Sequence, residues 1–216
     1  MTYRYIATSV AGFVQQLAVA YINHGYVFYV AGHIPPGSDA DAIDRKLMDK
    51  YGVAKSRWQR ARRKLLGKAN VHYLRWGSFW VLLANHGDHR IFQEEKDVLR
   101  DVRREPIAFC GYSIGYRLGN DGKGHVSVRI HPTEERWLKL FMVQFGRMAT
   151  VEEVEAEFAR LRFEPYAPVV RQLYGVLRAV NKARKLAGLP PADWKCVRTR
   201  RRVVRPFEPE KYRRAA

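Results

Sequence analysis

His86 and His89 stand three residues apart in NHGDHRIFQEE, with Glu94 and Glu95 close behind. Two imidazoles and a carboxylate can bind a divalent ion, which can activate water or polarise a phosphodiester. The metal set expected on this reading is His86, His89 and Glu94, and the chemistry is metal-dependent strand cleavage. A nickase also needs a tyrosine nucleophile. Tyr166 and Tyr174 lie around a basic helix, with Lys182 two turns beyond Tyr174. Plainer roles compete with each of these. His86 and His89 can form a polar turn, Glu94 and Glu95 can pair with Arg90 or Lys96, and Tyr174 can pack in an apolar stripe with Val170, Leu177 and Leu186. His24, His33, His72, His125 and His131 fall at helix or strand positions where a hydrogen-bonded structural imidazole is common.

Charge carries a second kind of chemistry. Val53 to Lys68 holds seven Lys or Arg and no acid. The chain's net charge is +18, and its 47% hydrophobic residues are enough for a core. Ile43 to Trp76 contributes 11 basic and 2 acidic residues, and Tyr166 to Pro206 contributes 11 basic and 1 acidic, so two blocks carry the whole excess. A chain this basic repels itself unless a polyanion neutralises it. On a helix whose buried stripe is Trp58, Ala61 and Leu65, the residues Arg57, Arg60, Arg63 and Lys64 project outward to phosphates or guanine edges. The expected contacts are Lys55, Arg57, Arg60, Arg62, Arg63, Lys64, Lys68 and Arg75 in the first block. In the second they are Arg178, Lys182 and Lys185 on a helix, then Arg198, Arg200, Arg201 and Arg202 in an arm. A membrane-surface role would put the cations on one helix beside exposed Trp, Phe and Leu. Here they recur on helices, strands and a tail, so nucleic acid fits better than lipid.

The elements that must position these residues follow from periodicity. Val10, Phe13, Val14, Leu17 and Tyr21 sit at helical spacing behind a cap at Thr8 or Ser9, which favours a core-facing helix over a signal peptide. Tyr26 to His33 reads as a strand covered on both faces. Helices are expected from Ser38 or Asp39 to before Gly52, and from Ala54 to Leu66. Val71 to Trp76 and Phe79 to Ala84 flank Gly77 and Ser78 as a hairpin. Ile107 to Arg117 and His125 to His131 form a second hairpin. Three helices follow: Pro132 to about Phe145, one opened by the capping box Thr150 to Glu153, and Pro168 to Ala187. The last is expected to bury Val169, Leu173, Val176, Leu177 and Val180. The fold class is α+β, with a basic domain over 1–90, a hairpin-plus-helical domain over 106–190 and a basic arm over 191–216.

The segment KLMDKYGVAKSRWQRA, Lys46 to Ala61, resembles a helix-turn-helix. Leu47, Tyr51, Val53, Trp58 and Ala61 occupy the pattern's buried positions and Gly52 its turn glycine, although Met48 stands where a small residue is usual. With a helix and strand before it and a hairpin after, residues 8–84 resemble a winged helix-turn-helix DNA-binding domain. That resemblance implies a recognition helix at Ala54 to Leu66 in a major groove and Arg75 at the wing. A ferredoxin-like half is the alternative, since this element order also occurs in ferredoxin-like nucleic-acid proteins, including nickases with a His-hydrophobic-His pair. No such pair is present here.

Two cysteines far apart, Cys110 and Cys196, indicate neither a disulfide framework nor a zinc ribbon. The expectation is a cytoplasmic nucleic-acid-binding protein, duplex DNA favoured over RNA, acting in transcriptional control or in replication initiation on a mobile element; the alternatives are a metal-dependent nickase or nuclease of a mobile element and a structured-RNA-binding protein. No membrane partner and no cofactor are expected, apart from a divalent metal on the nickase reading. The sequence gives no oligomeric state.

Overall fold

The computed structural model describes residues 3–119, 122–202 and 204–208. The fold is mixed α+β, with two antiparallel sheets. The chain divides into two compact units. The first comprises 1–106, 115–126 and 204–216, the second 107–114 and 127–203. This differs from the expected boundaries, since 115–126 and 204–208 also join the first unit. The connector after residue 90 belongs to the first unit, where Ile91 and Val102 are fully buried, and 191–203 belongs to the second.

In the first unit, α1 (Val10–Gln15) is capped by the Ser9 hydroxyl, which accepts from Gly12 N at 3.1 Å. It continues as a π-helix over Gln16–Tyr21 and a 3₁₀ turn over Ile22–His24. Of the expected inward residues, Phe13, Val14, Leu17 and Tyr21 are buried and Val10 is half-buried. Strand β1 (Phe28–His33) pairs antiparallel with β3 (Phe79–Ala84), and β3 with β2 (Val71–Trp76). The short strand β4 (Arg100–Asp101) adds on the other side of β1, giving the order β2-β3-β1-β4. Strand β1 is thus interior to the sheet, but only its first half is buried, and Ala31 and His33 are exposed. The turn at Gly77, with φ 56°, has glycine where a two-residue hairpin needs a positive φ.

Side chains alternate across this sheet. Val71, Tyr73, Leu82 and Ala84 pack with Val30, Tyr51 and Val53 on the face of α2 (Ala40–Lys50). On the other face His72 stacks on Tyr21 at 4.3 Å and Phe79 meets Phe13 edge-on at 5.7 Å. The outer edge of β2 is covered by the N-terminal segment, with Ala7 N donating to Arg75 O and Arg75 N to Tyr5 O, each at 2.8 Å. After α3 (Arg57–Leu65) and the hairpin comes a single helical turn, α4 (Ile91–Glu94).

The second sheet has the order β5-β6-β7. The expected strand over Ile107 to Arg117 is in fact two, β5 (Ile107–Phe109) and β6 (Tyr112–Leu118), turned at Cys110 and Gly111 with φ of 43° and 78°. Strand β7 (Gly124–Ile130) follows. The second unit is built on α5 (Pro132–Gly146), α6 (Val151–Arg160) and α7 (Ala167–Leu186). The Thr150 capping box forms, and all five expected core residues of α7 are buried. Helices α5 and α7 approach closely at Gly146, where an added Cβ would lie 2.7 Å from Val180 Cγ1.

Candidate functional site

Helix α2 starts at Asp39, whose carboxylate accepts from Asp41 N and Ala42 N, and ends at a turn through Gly52 with φ 57°. A left-handed residue is costly for any side chain, which is why glycine is needed there. Tyr51 and Val53 on either side are fully buried and pin the turn to the sheet. Ser56 then opens α3 through a capping box with Gln59, so this helix begins three residues later than expected.

The orientation of α3 is opposite to the expected one. None of its residues is buried, Trp58 is 71% exposed and Leu65 88% exposed, and Ala61 is exposed as well. The inward side chains are Arg60 and Arg63, whose aliphatic stems can cover apolar surface while the heads find acceptors. Arg60 Nη2 donates to Val53 O at 3.4 Å and its guanidinium lies 5.6 Å from the Tyr3 ring centroid. Arg63 Nη2 donates to Ala69 O at 2.8 Å, and Asn70 Nδ2 donates to Arg60 O at 3.0 Å. Beneath the helix is a narrow crevice lined in part by Lys55, Arg60, Arg63 and Asn70. Arg60 Nε, Arg63 Nε and Asn70 Oδ1 are buried there without a hydrogen-bond partner among the described residues.

The outward cations are Arg57, Arg62, Lys64 and, just beyond the helix, Lys68, with Lys55 half-buried. Among the described residues none of these five is paired with a carboxylate. Arg62 lies 5.9 Å from the Trp58 ring centroid.

Arg75 is not at the hairpin tip facing solvent. It is buried, with Nε donating to Asp44 Oδ2 at 2.8 Å and Nη1 to Gly77 O at 3.0 Å, while Tyr73 donates to Asp44 Oδ1 at 2.5 Å. Asp44 is 0% exposed. Arg75 is therefore committed to a buried ion pair and is withdrawn from any phosphate. Sequence reading missed this network. Its signal was an aspartate at an inward position of α2, in register with a strand that alternates Tyr73 and Arg75.

The members of the histidine loop each have a different partner. His89 Nδ1 accepts from Ile91 N at 3.2 Å, starting α4, and burial, reinforced by the Arg63 charge, holds its pKa below the usual value. His86 packs edge-on against Phe28 at 4.8 Å. Glu94 pairs with Lys50 at 3.2 Å and with Arg90 at 4.0 Å. No group of three or more His, Cys, Asp or Glu among the described residues could hold a metal ion.

In the second unit, Arg178, Lys182 and Lys185 are exposed, and with Arg171 they recur at spacings that place all four in one row along α7. Arg184 breaks the row inward. It is 1% exposed and donates to Pro190 O at 2.6 Å, Gly146 O at 2.9 Å and Ala149 O at 2.8 Å. Arg198 is engaged locally, with Glu164 and Phe163 O each at 3.1 Å, and Arg201 lies 4.5 Å over the Tyr166 ring. Arg200 and Arg202 are exposed in irregular chain, and the last residues of the expected arm, 209–216, lie outside the described residues. Tyr166 immediately precedes α7, and burial raises its pKa, which opposes a phenolate nucleophile. Tyr174 packs edge-on against Trp194 at 5.6 Å, whereas Leu186, expected in its stripe, is exposed.

No helix among the described residues is long and apolar enough to cross a membrane. Compared with protein-family models, curated proteins and solved structures, the chain matches none.

Proposed function

We propose that this chain binds nucleic acid through the outward face of α3. The observation that carries the reading is that Arg57, Arg62 and Lys64 on α3, and Lys68 just beyond it, have no carboxylate partner among the described residues, in a stretch that contains no acid. Cations left without carboxylates repel one another, and a phosphate backbone relieves that repulsion while releasing its counterions. The row on α7 supports the same reading, because its four cations, from Arg171 to Lys185, span roughly 21 Å, the length of a few phosphates. With Arg60, Arg63 and Arg75 engaged inside the fold, the affinity rests on phosphate contacts more than on base edges read in a groove.

Duplex DNA in transcriptional control or mobile-element initiation is the use expected from the sequence. The test is fluorescence anisotropy with labelled duplex DNA, single-stranded DNA and structured RNA over a series of salt concentrations. Binding that weakens steeply with salt supports the proposal, and salt-independent or absent binding refutes it. No grouping of His86, His89 and Glu94 favours the nickase reading over this one.

A further inference from the structure

Trp58, Ala61, Arg62 and Leu65 share one face of α3, because residues three, four and seven apart on a helix align. That face points away from the sheet, with Leu66 exposed beside it. An indole and a leucine left in water on a nine-residue helix, with a second leucine at its C-cap, are not needed to dock it, since Arg60, Arg63 and Asn70 do that. A cluster of large exposed apolar side chains rimmed by polar residues marks an interaction surface. Exposed cations flank it, Arg57 and Lys64 on the helix and Lys68 just beyond, beside the neutral Gln59.

We infer that Trp58 is a stacking platform for an unpaired nucleobase, so that the ligand of α3 is a strand with an exposed base and not an intact duplex. This rests on the nucleic-acid reading above and replaces the duplex expected from the sequence with a strand that exposes a base. Charge complementarity selects an anionic partner, and the flat indole beside it selects one that also carries an aromatic face. A nucleotide strand offers both in every residue: the base stacks on the indole while its flanking phosphates meet Arg57, Arg62 and Lys64. In a duplex both faces of each base are covered by neighbouring pairs, so Trp58 gains nothing there. Arg62, already beside the indole, would share the stacked base through its guanidinium plane. An anionic lipid surface would also attract cations beside Trp and Leu. Exposed cations recur outside α3, at Arg171, Arg178, Lys182 and Lys185 on α7 and at Arg200 and Arg202, which suits a polyanionic strand better than one helix lying on a membrane.

The test uses the full chain with four probes: a single-stranded oligonucleotide, the same sequence as a duplex, that duplex with one bulged base, and anionic phosphatidylserine vesicles. Each is titrated with the native protein, with Trp58→Ala and with Trp58→Phe, and thermal melting confirms that both exposed-site variants stay folded. The single strand and the bulge are expected to bind more tightly than the duplex. Trp58→Ala should weaken them about tenfold at unchanged salt slope, with Trp58→Phe retaining most of the affinity. Equal weakening on duplex and single strand, or no preference for unpaired bases, overturns the stacking role but leaves nucleic-acid binding intact. Vesicle binding that oligonucleotides do not compete away overturns it in favour of lipid. Failure to bind any oligonucleotide removes the underlying reading as well.

Discussion

Asp44 on α2 and Arg75 on β2 form an ion pair inside the first unit, Nε to Oδ2 at 2.8 Å, with Tyr73 donating to the second carboxylate oxygen at 2.5 Å. The pair joins helix to sheet directly beneath the element that leads into α3. Removing one member would strand the other charge in a site where water cannot solvate it. Arg75→Ala is therefore expected to cost about 3–5 kcal/mol of stability, measured by urea unfolding. Replacing both residues together, with Asp44→Leu and Arg75→Met, should cost much less. A free phosphate-binding arginine would show the reverse pattern, a small stability effect and a large loss of affinity.

Arg60 and Arg63 hold α3 to the body of the unit through backbone carbonyls. Arg63→Ala is expected to lower stability by about 1–2 kcal/mol through the lost bond to Ala69 O. Amide exchange in α3 should accelerate in the same variant. Native exchange rates in α3 together with an unchanged unfolding midpoint would show that the helix is held by something else.

His72 is buried against Tyr21 and accepts or donates at 3.1 Å with the Tyr3 hydroxyl. Burial, with the Arg60 charge adding to it, depresses its pKa to about 3. The unfolded chain binds this proton near the ordinary imidazole value of about 6.5. Between those two values the unfolded state holds more protons than the folded one, so stability falls as pH falls through that window. The contribution at stake is up to about 5 kcal/mol. His72→Phe should flatten the decline in melting temperature between pH 6.5 and 4 relative to the native chain. An identical slope in both would show that His72 does not titrate this way.

Arg184 donates to Gly146 O and Ala149 O at the end of α5 and to Pro190 O beyond α7, with no carboxylate partner among the described residues. Arg184→Ala leaves these acceptors buried and is expected to cost about 3 kcal/mol or more. Arg184→Lys should recover only part of this, because one ammonium lacks the planar fork that reaches Pro190, Gly146 and Ala149 together. Denaturant midpoints of the two variants check the order.

The parts of this fold written in local signals were readable. Asp39, the Thr150–Glu153 box and the Gly77 turn each satisfy backbone groups within a few residues, and all three form as expected. The α7 stripe was also legible, since five apolar residues at helical spacing have only one face to bury. The α3 stripe misled for the opposite reason. Trp58, Ala61 and Leu65 are the apolar residues of a very basic helix, yet Arg60 and Arg63 bury their stems because carbonyls at Val53 and Ala69 lie under them. Those acceptors come from turns on either side of the helix, and periodicity within it carries no trace of them. Arg75 was misplaced likewise, because its partner Asp44 is 31 residues away. The turn at Cys110 was read through because a cysteine with positive φ is not a usual turn residue.

The central claim is that the unpaired cations facing outward on α3 hold a phosphate backbone. The most direct measurement compares the native chain with the Arg57→Ala, Arg62→Ala, Lys64→Ala triple variant, titrated into labelled single-stranded and duplex DNA at several salt concentrations. Because all three residues are exposed, the variant should melt like the native protein. The expected result is weaker binding with a log–log salt slope smaller in magnitude by about 2–3, one counterion for each lost contact. An unchanged slope and affinity in a folded variant would contradict the claim and move the polyanion site elsewhere on the chain.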